Sequence, residues 1–241
     1  MNNLPEINLK YWLLMIIATT TGEIVGNYIS RDLELGYKIG AIILVTIFCI
    51  SITHSVFAKR IPQLYYWLLI ILGNIGGTNI ADLICIDFKL GTIWGSLLVI
   101  ATFLILILLI KNISKNKNEI ANIKVEYLYW FAILTSSTFG TTSGDFLSND
   151  TPLGADGGTI LLVLLLIISI VLLRSEQISK NLFYWLAIII IHPIGATFGN
   201  YISKPSGLNF GNIWTSIFLI SLFLIIYKYY NQKFYDKFNI N

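Results

Sequence analysis

The chain has 241 residues, 56% of them hydrophobic and only 12% charged, with a net charge of +3 and a mean hydropathy of +0.74. A soluble domain carries about 25% charged residues, so an ordinary water-soluble globular protein is excluded. Charge-free runs such as Gly95–Ile110 and Ile160–Leu173, separated by polar breaks, predict a polytopic helical membrane protein. The longest polar stretch, Lys111–Glu126, is a midpoint connector and leaves no room for a separate soluble domain.

Taken in order, the predicted spans are Lys10–Ile29, Tyr37–Ala58, Leu64–Ile84, Leu90–Ile110, Tyr127–Leu147, Gly157–Leu173, Leu182–Ile202 and Asn212–Tyr227. At about 1.5 Å per residue, roughly 20 residues cross a bilayer core, and the sixth span is short enough to need Arg174 to snorkel. The first run follows neither a basic region nor a cleavage site, so it is read as a retained span and not a signal peptide. Termini and inter-repeat loops hold twelve basic residues: Lys10, Lys59, Arg60, Lys111, Lys115, Lys117, Lys124, Arg174, Lys180, Lys228, Lys233 and Lys237. The opposite side holds four, Arg31, Lys38, Lys89 and Lys204. The positive-inside rule then predicts a protein of the bacterial cytoplasmic membrane with both termini cytoplasmic. The net charge therefore carries no nucleic-acid signal. Cys49 and Cys85 form no paired framework and are read as packing residues.

The spans fall into a repeat. Trp12, Trp67, Trp130 and Trp185 each follow a tyrosine (Tyr11, Tyr66, Tyr129, Tyr184), and each precedes a glycine by ten residues (Gly22, Gly77, Gly140, Gly195). A small residue follows four further on (Gly26, Ala81, Gly144, Gly199), and the next position is Asn27, Asp82, Asp145 or Asn200. This predicts four two-helix repeats, near 10–58, 64–110, 127–173 and 182–227, forming a single transmembrane domain. Each unit crosses twice, so successive units enter the membrane in the same direction, as parallel repeats about an axis along the membrane normal. The Tyr-Trp pairs are expected to form a cytoplasmic aromatic belt, and the tail YKYYNQKFYDKF an interfacial segment.

Even spans are apolar all round, whereas odd spans turn small and polar in one half, as in ATTTGEIVGNYIS and TSSTFGTTSGDFLS. Polar groups need protein or water around them. The expected fold is thus an all-α integral membrane protein in which odd helices form an inner bundle and even helices an outer rim. The small-xxx-small pairs are read mainly as sites of close helix packing. Pro193 points to a kink, since it removes a hydrogen bond to the Ile189 carbonyl.

Helical spacing aligns four tiers on one face of the odd spans: Thr19/Asn74/Ser137/His192, Glu23/Thr78/Thr141/Ala196, Asn27/Asp82/Asp145/Asn200 and Ser30/Cys85/Ser148/Ser203. The stripe runs about 16 Å. Glu23, Asn27, Thr78, Asp82, Thr141, Asp145, His192 and Asn200 are the candidate ion- or substrate-binding residues, lining one outward cavity. With no intramembrane lysine or arginine available as a partner, the three acids are expected to lack a basic one. A bound cation, a proton or water must then balance them.

The chain resembles a group of bacterial membrane-anchored proteins built from four tandem two-helix repeats of unknown function. The resemblance spans Tyr11 to Tyr227 and rests on the Trp, the internal Gly, the Asn/Asp position and a Leu-Gly pair opening the second helix (Leu35-Gly36, Leu90-Gly91, Leu153-Gly154). In the fourth unit Phe210-Gly211 takes that role after a two-residue insertion. The resemblance implies the architecture and no activity.

Three function classes follow. The leading expectation is a non-enzymatic transporter or channel for a small cation or a proton-coupled solute, since carboxylates and amide and hydroxyl oxygens suit hard cations. The lone His192 keeps a softer divalent metal open, and the lack of Cys or Met in the stripe, Cys85 apart, argues against copper(I). No cofactor is expected beyond such a cation, whose identity the sequence leaves open. The alternatives are a membrane partner or anchor protein and an intramembrane aspartyl protease using Asp82 and Asp145.

Overall fold

A computed structural model describes residues 5–58, 61–115 and 119–238, with side chains through Tyr229 apart from Glu119. Among the expected orientation markers, Lys59, Arg60 and Lys117 lie outside the described residues, as do the side chains of Lys233 and Lys237. The described residues form eight α-helices and no strands: α1 (Leu9–Asn27), α2 (Tyr37–Phe57), α3 (Gln63–Asp82), α4 (Gly91–Ile113), α5 (Glu119–Asp145), α6 (Gly154–Arg174), α7 (Lys180–Ser203) and α8 (Gly211–Phe238).

Six of these, α2, α3, α4, α6, α7 and α8, are long and apolar enough to cross a membrane. The other two, α1 and α5, span 19 and 27 residues but carry the polar runs ATTTGE and TSSTFGTTSGD. Large apolar side chains stay exposed along the even helices, among them Ile42, Ile50, Trp94, Leu108, Leu164, Trp214 and Ile225. So much contiguous apolar surface suits lipid and not water, and the protein is a membrane protein. The sixth span is not short: α6 runs 21 residues and ends on Arg174.

Local sequence sets the helix ends. Asn8 and Ser179 cap α1 and α7, accepting hydrogen bonds from the backbone N–H of Tyr11 and Leu182 at 3.1 and 3.2 Å. The Leu/Phe-Gly pairs open the even helices because their glycines, Gly36, Gly91, Gly154 and Gly211, hold φ of 67 to 72°, where a Cβ would be strained. The same backbone state thus recurs at the same place in every unit. One π-helical turn follows each of α1, α3 and α5 (Tyr28–Asp32, Leu83–Asp87 and Phe146–Asp150). Pro193 lies within α7 without ending it.

The odd helices touch in a closed cycle, α1 on α3, α3 on α5, α5 on α7 and α7 on α1. Each even helix packs on the odd helix after it: α2 on α3, α4 on α5, α6 on α7 and α8 on α1. Glycines set the first cycle. A Cβ added to Gly140 would lie 2.6 Å from the His192 Cβ, and one added to Gly195 would lie 2.5 Å from the Thr19 hydroxyl. Gly22 meets Asn74 and Gly77 meets Ser137 in the same way. Each unit's glycine therefore receives the next unit's polar residue, backbone against backbone, which is the packing reading of these glycines.

The Tyr-Trp pairs do not form the expected outward-facing aromatic belt. Tyr11, Tyr66 and Tyr129 are buried, Trp67 and Trp130 are each 1% exposed, and Tyr184 is half-buried. The tryptophans wedge between helices: Trp67 meets Phe223 of α8, Trp130 meets Phe48 of α2, and Trp185 meets Phe103 of α4, with ring centres 5.9, 6.5 and 5.9 Å apart. The even helices cover the faces that would otherwise reach the interface. The exposed tryptophans are Trp94 and Trp214, on α4 and α8.

Candidate functional site

The two ends of the odd-helix cycle differ in chemistry. At one end the hydroxyls of Tyr11, Tyr66, Tyr129 and Tyr184 form a closed ring, with successive O···O distances of 2.8, 2.9, 2.7 and 3.0 Å back to Tyr11. In such a ring each hydroxyl donates once and accepts once, so all four are satisfied without water. One helical turn onward on the same face come Met15, Ile70, Ile133 and Ile188, all fully buried. Together these make two layers that close this end.

Beyond them the stripe becomes polar. His192 sits in the first polar tier, where its Nδ1 donates to the Ile188 carbonyl at 2.7 Å and its Nε2 lies 3.5 Å from the Ser136 hydroxyl. The carbonyl requires a proton on Nδ1. Among the described residues no hydrogen bond joins His192 to an acid, so it stands apart from the other candidates. In the next tier Glu23 is 3% exposed and receives donors from three elements. Its Oε1 accepts from Asn27 Nδ2 at 3.0 Å, and its Oε2 from Thr141 Oγ1 at 2.6 Å and Thr78 Oγ1 at 3.1 Å. All four side chains were candidates from the sequence.

Thr141 also lines a cleft of about 360 Å³, and its hydroxyl links Glu23 to that cleft. The cleft walls include Asp82, Asp145, Arg31, Lys204 and Cys85. Here the expectation of unpartnered acids fails. Arg31 Nη2 lies 3.0 Å from both oxygens of Asp82, and Lys204 Nζ lies 3.6 Å from Asp145. Asp145 also accepts from Asn200 Nδ2 at 3.0 Å and Asn149 Nδ2 at 3.4 Å. Both bases were assigned to the loops beyond the spans. Their long stems carry the charge back along the helix ends, with 32% and 27% of their side-chain surface still exposed.

A signal for them was present. Arg31 and Lys204 stand nineteen residues after Trp12 and Trp185, in the two units that carry Asn in place of Asp. Each reaches the aspartate of a neighbouring unit, Arg31 in the second and Lys204 in the third. Asn79 was also missed. It is fully buried, and its amide donates to the Ile75 carbonyl at 3.1 Å and, across the interface, to the Gly26 carbonyl at 3.4 Å. Among the described residues no three His, Cys, Asp or Glu gather as a metal-binding group. The oxygens on offer are carboxylate, amide and hydroxyl, a hard-cation set.

The family described as Repeat of Unknown Function (DUF347) matches residues 10–60, 128–177 and 183–233, more than half of the chain. The chain belongs to this family. Its matches fall on the first, third and fourth units; the second carries the same Tyr-Trp pair, glycine and positive-φ turn. Comparison with curated proteins and with solved structures finds no match.

Proposed function

We propose that the protein is a small multi-pass transporter of the cytoplasmic membrane for a cation or a proton-coupled solute. In this reading all eight helices cross the bilayer, the four odd helices are the inner bundle and the even helices the lipid-facing rim. Both termini lie in the cytoplasm, as the basic-residue bias requires, and the cleft opens to the outside. The reading rests on Glu23, a buried carboxylate held by neutral donors, one of which, Thr141, lines a polar cleft. A carboxylate kept in a membrane interior is costly, and it is a functional site by default.

The tyrosine ring and the Met15/Ile70/Ile133/Ile188 layer support a transporter over an open pore, because a fully buried apolar layer interrupts the polar stripe and a closed hydroxyl ring lies beyond it. Asp82 and Asp145 pair with different bases, which gives less support to a proton-sharing catalytic dyad.

The test is flux into proteoliposomes, driven by gradients of pH, monovalent and divalent cations, for wild type and Glu23→Gln. Flux in the wild type that Glu23→Gln abolishes is the expected result. Absence of flux under every gradient would overturn the transport reading in favour of a membrane partner or anchor.

A further inference from the structure

Buried polar atoms without partners mark places where a fold leaves bonding capacity unused. Two of them stand at equivalent positions of adjacent units: the side-chain oxygens of Asn27 and Asn200, residues 2% and 1% exposed. Each amide nitrogen is committed to a carboxylate, Asn27 to Glu23 and Asn200 to Asp145, both at 3.0 Å. Flipping either amide would set oxygen against carboxylate oxygen, so charge dictates which atom is left over. Their helices are in contact, since Gly199, the residue before Asn200, packs on Glu23 and Ile24.

The charges around these oxygens are also unequal. Of the acids in the stripe, Asp82 is matched by Arg31 and Asp145 by Lys204, while Glu23 has only neutral donors. With the two pairs self-balanced, the buried Glu23 carboxylate is left as one negative charge in excess. A proton on Glu23 would balance that charge but leave both amide oxygens bare. A divalent cation would satisfy the oxygens and leave a positive charge in excess. A monovalent metal cation answers both.

We infer that the Glu23 carboxylate and the side-chain oxygens of Asn27 and Asn200 form a binding site for one alkali-metal cation. Thr78 and Thr141 orient the carboxylate. Asp145 is a positioning residue, since it fixes the Asn200 amide, and Asp82, held by Arg31, is not a ligand. The inference rests on the transport reading above and deepens it by naming the ion's class and number.

The test uses the purified full chain in detergent, with Li⁺, Na⁺, K⁺, Mg²⁺ and Ca²⁺ as probes and choline keeping ionic strength constant. Thermal unfolding reports stabilisation, and radiolabelled sodium reports stoichiometry. One alkali cation is expected to bind per chain and raise the Tm saturably. Glu23→Gln and Asn200→Ala should each weaken it at least tenfold, while Trp94→Ala, on the exposed face of α4, should not. If Glu23→Gln does not elute as a folded species, Asn200→Ala decides. Alkali binding unchanged in the variant, or a divalent ion bound more tightly than every alkali ion, overturns the site. No cation binding alongside pH-driven flux overturns the site and leaves transport standing. Alkali binding without any flux supports the site and overturns transport.

Discussion

The tyrosine end and the cleft end of the bundle are built from the same four helices, yet only one keeps the symmetry of the repeat. At the tyrosine end all four units supply the same group, and four equal hydroxyls close on themselves. A ring of identical donor-acceptors needs nothing else and binds nothing else. At the cleft end equivalent positions have diverged, to Glu23/Thr78/Thr141/Ala196 and Asn27/Asp82/Asp145/Asn200. Identical acids there would repel; the mixture instead pairs acid with base between units and leaves Glu23 as the odd member. Symmetry serves closure at one end, and its loss brings unlike groups together at the other.

Both ends depend on the close contacts between the odd helices. Gly195→Leu would drive its side chain into Thr19, and Gly140→Leu would do the same at His192. Lipid provides no hydrophobic drive to hold helices together, so lost backbone approach is not offset. We expect the largest loss here, about 3 kcal/mol, read as a lowered unfolding midpoint in detergent. An unchanged midpoint would refute the close-packing account of these glycines.

At the cleft end, Asp82→Asn should destabilise by about 1–3 kcal/mol by leaving the Arg31 charge unpaired. The lower part of that range is expected because Arg31 keeps 32% of its side chain exposed and can turn to water. Adding Arg31→Gln should restore part of the loss. A double variant no more stable than Asp82→Asn alone would show that the pair is incidental.

At the tyrosine end, Tyr66→Phe removes two hydrogen bonds and leaves one hydroxyl without an acceptor and another without a donor. The expected cost is about 1–2 kcal/mol. Replacing all four tyrosines by Phe should cost far less than four times that amount, since no unpaired group remains. Strict additivity would deny that the hydroxyls act as a ring. The smallest effect belongs to the exposed face of α8: Trp214→Ala, at 71% exposure, should stay within about 0.5 kcal/mol.

Much of this contrast is legible in the sequence, because helical periodicity fixes which residues share a face. The repeat register put Glu23, Thr78 and Thr141 in one tier, and the structure joins them through hydrogen bonds. The small-residue positions signalled close packing, which Gly140 and Gly195 make explicit. Two features escaped for physical reasons. Arg31 and Lys204 lie beyond the apolar spans, and hydropathy ignores how far a long side chain can fold back. The tyrosines carry the signature of an interfacial belt, yet tertiary packing decides whether an aromatic at a helix end faces outward or the axis. A tyrosine at one register in every unit was the available clue, since one shared face brings all four together.

A bundle closed by the tyrosine ring should admit a polar reagent at the polar end alone. Cysteine accessibility measures this, using Thr141→Cys in the cleft lining and Ile133→Cys in the buried apolar layer, each in a background of Cys49→Ser and Cys85→Ser. With a charged, membrane-impermeant thiol reagent, Thr141→Cys should be modified from the outside of intact cells and protected from the inside of inverted vesicles. Ile133→Cys should resist from both sides. Modification of Ile133→Cys from the cytoplasmic face, or of Thr141→Cys from that face alone, would contradict the account.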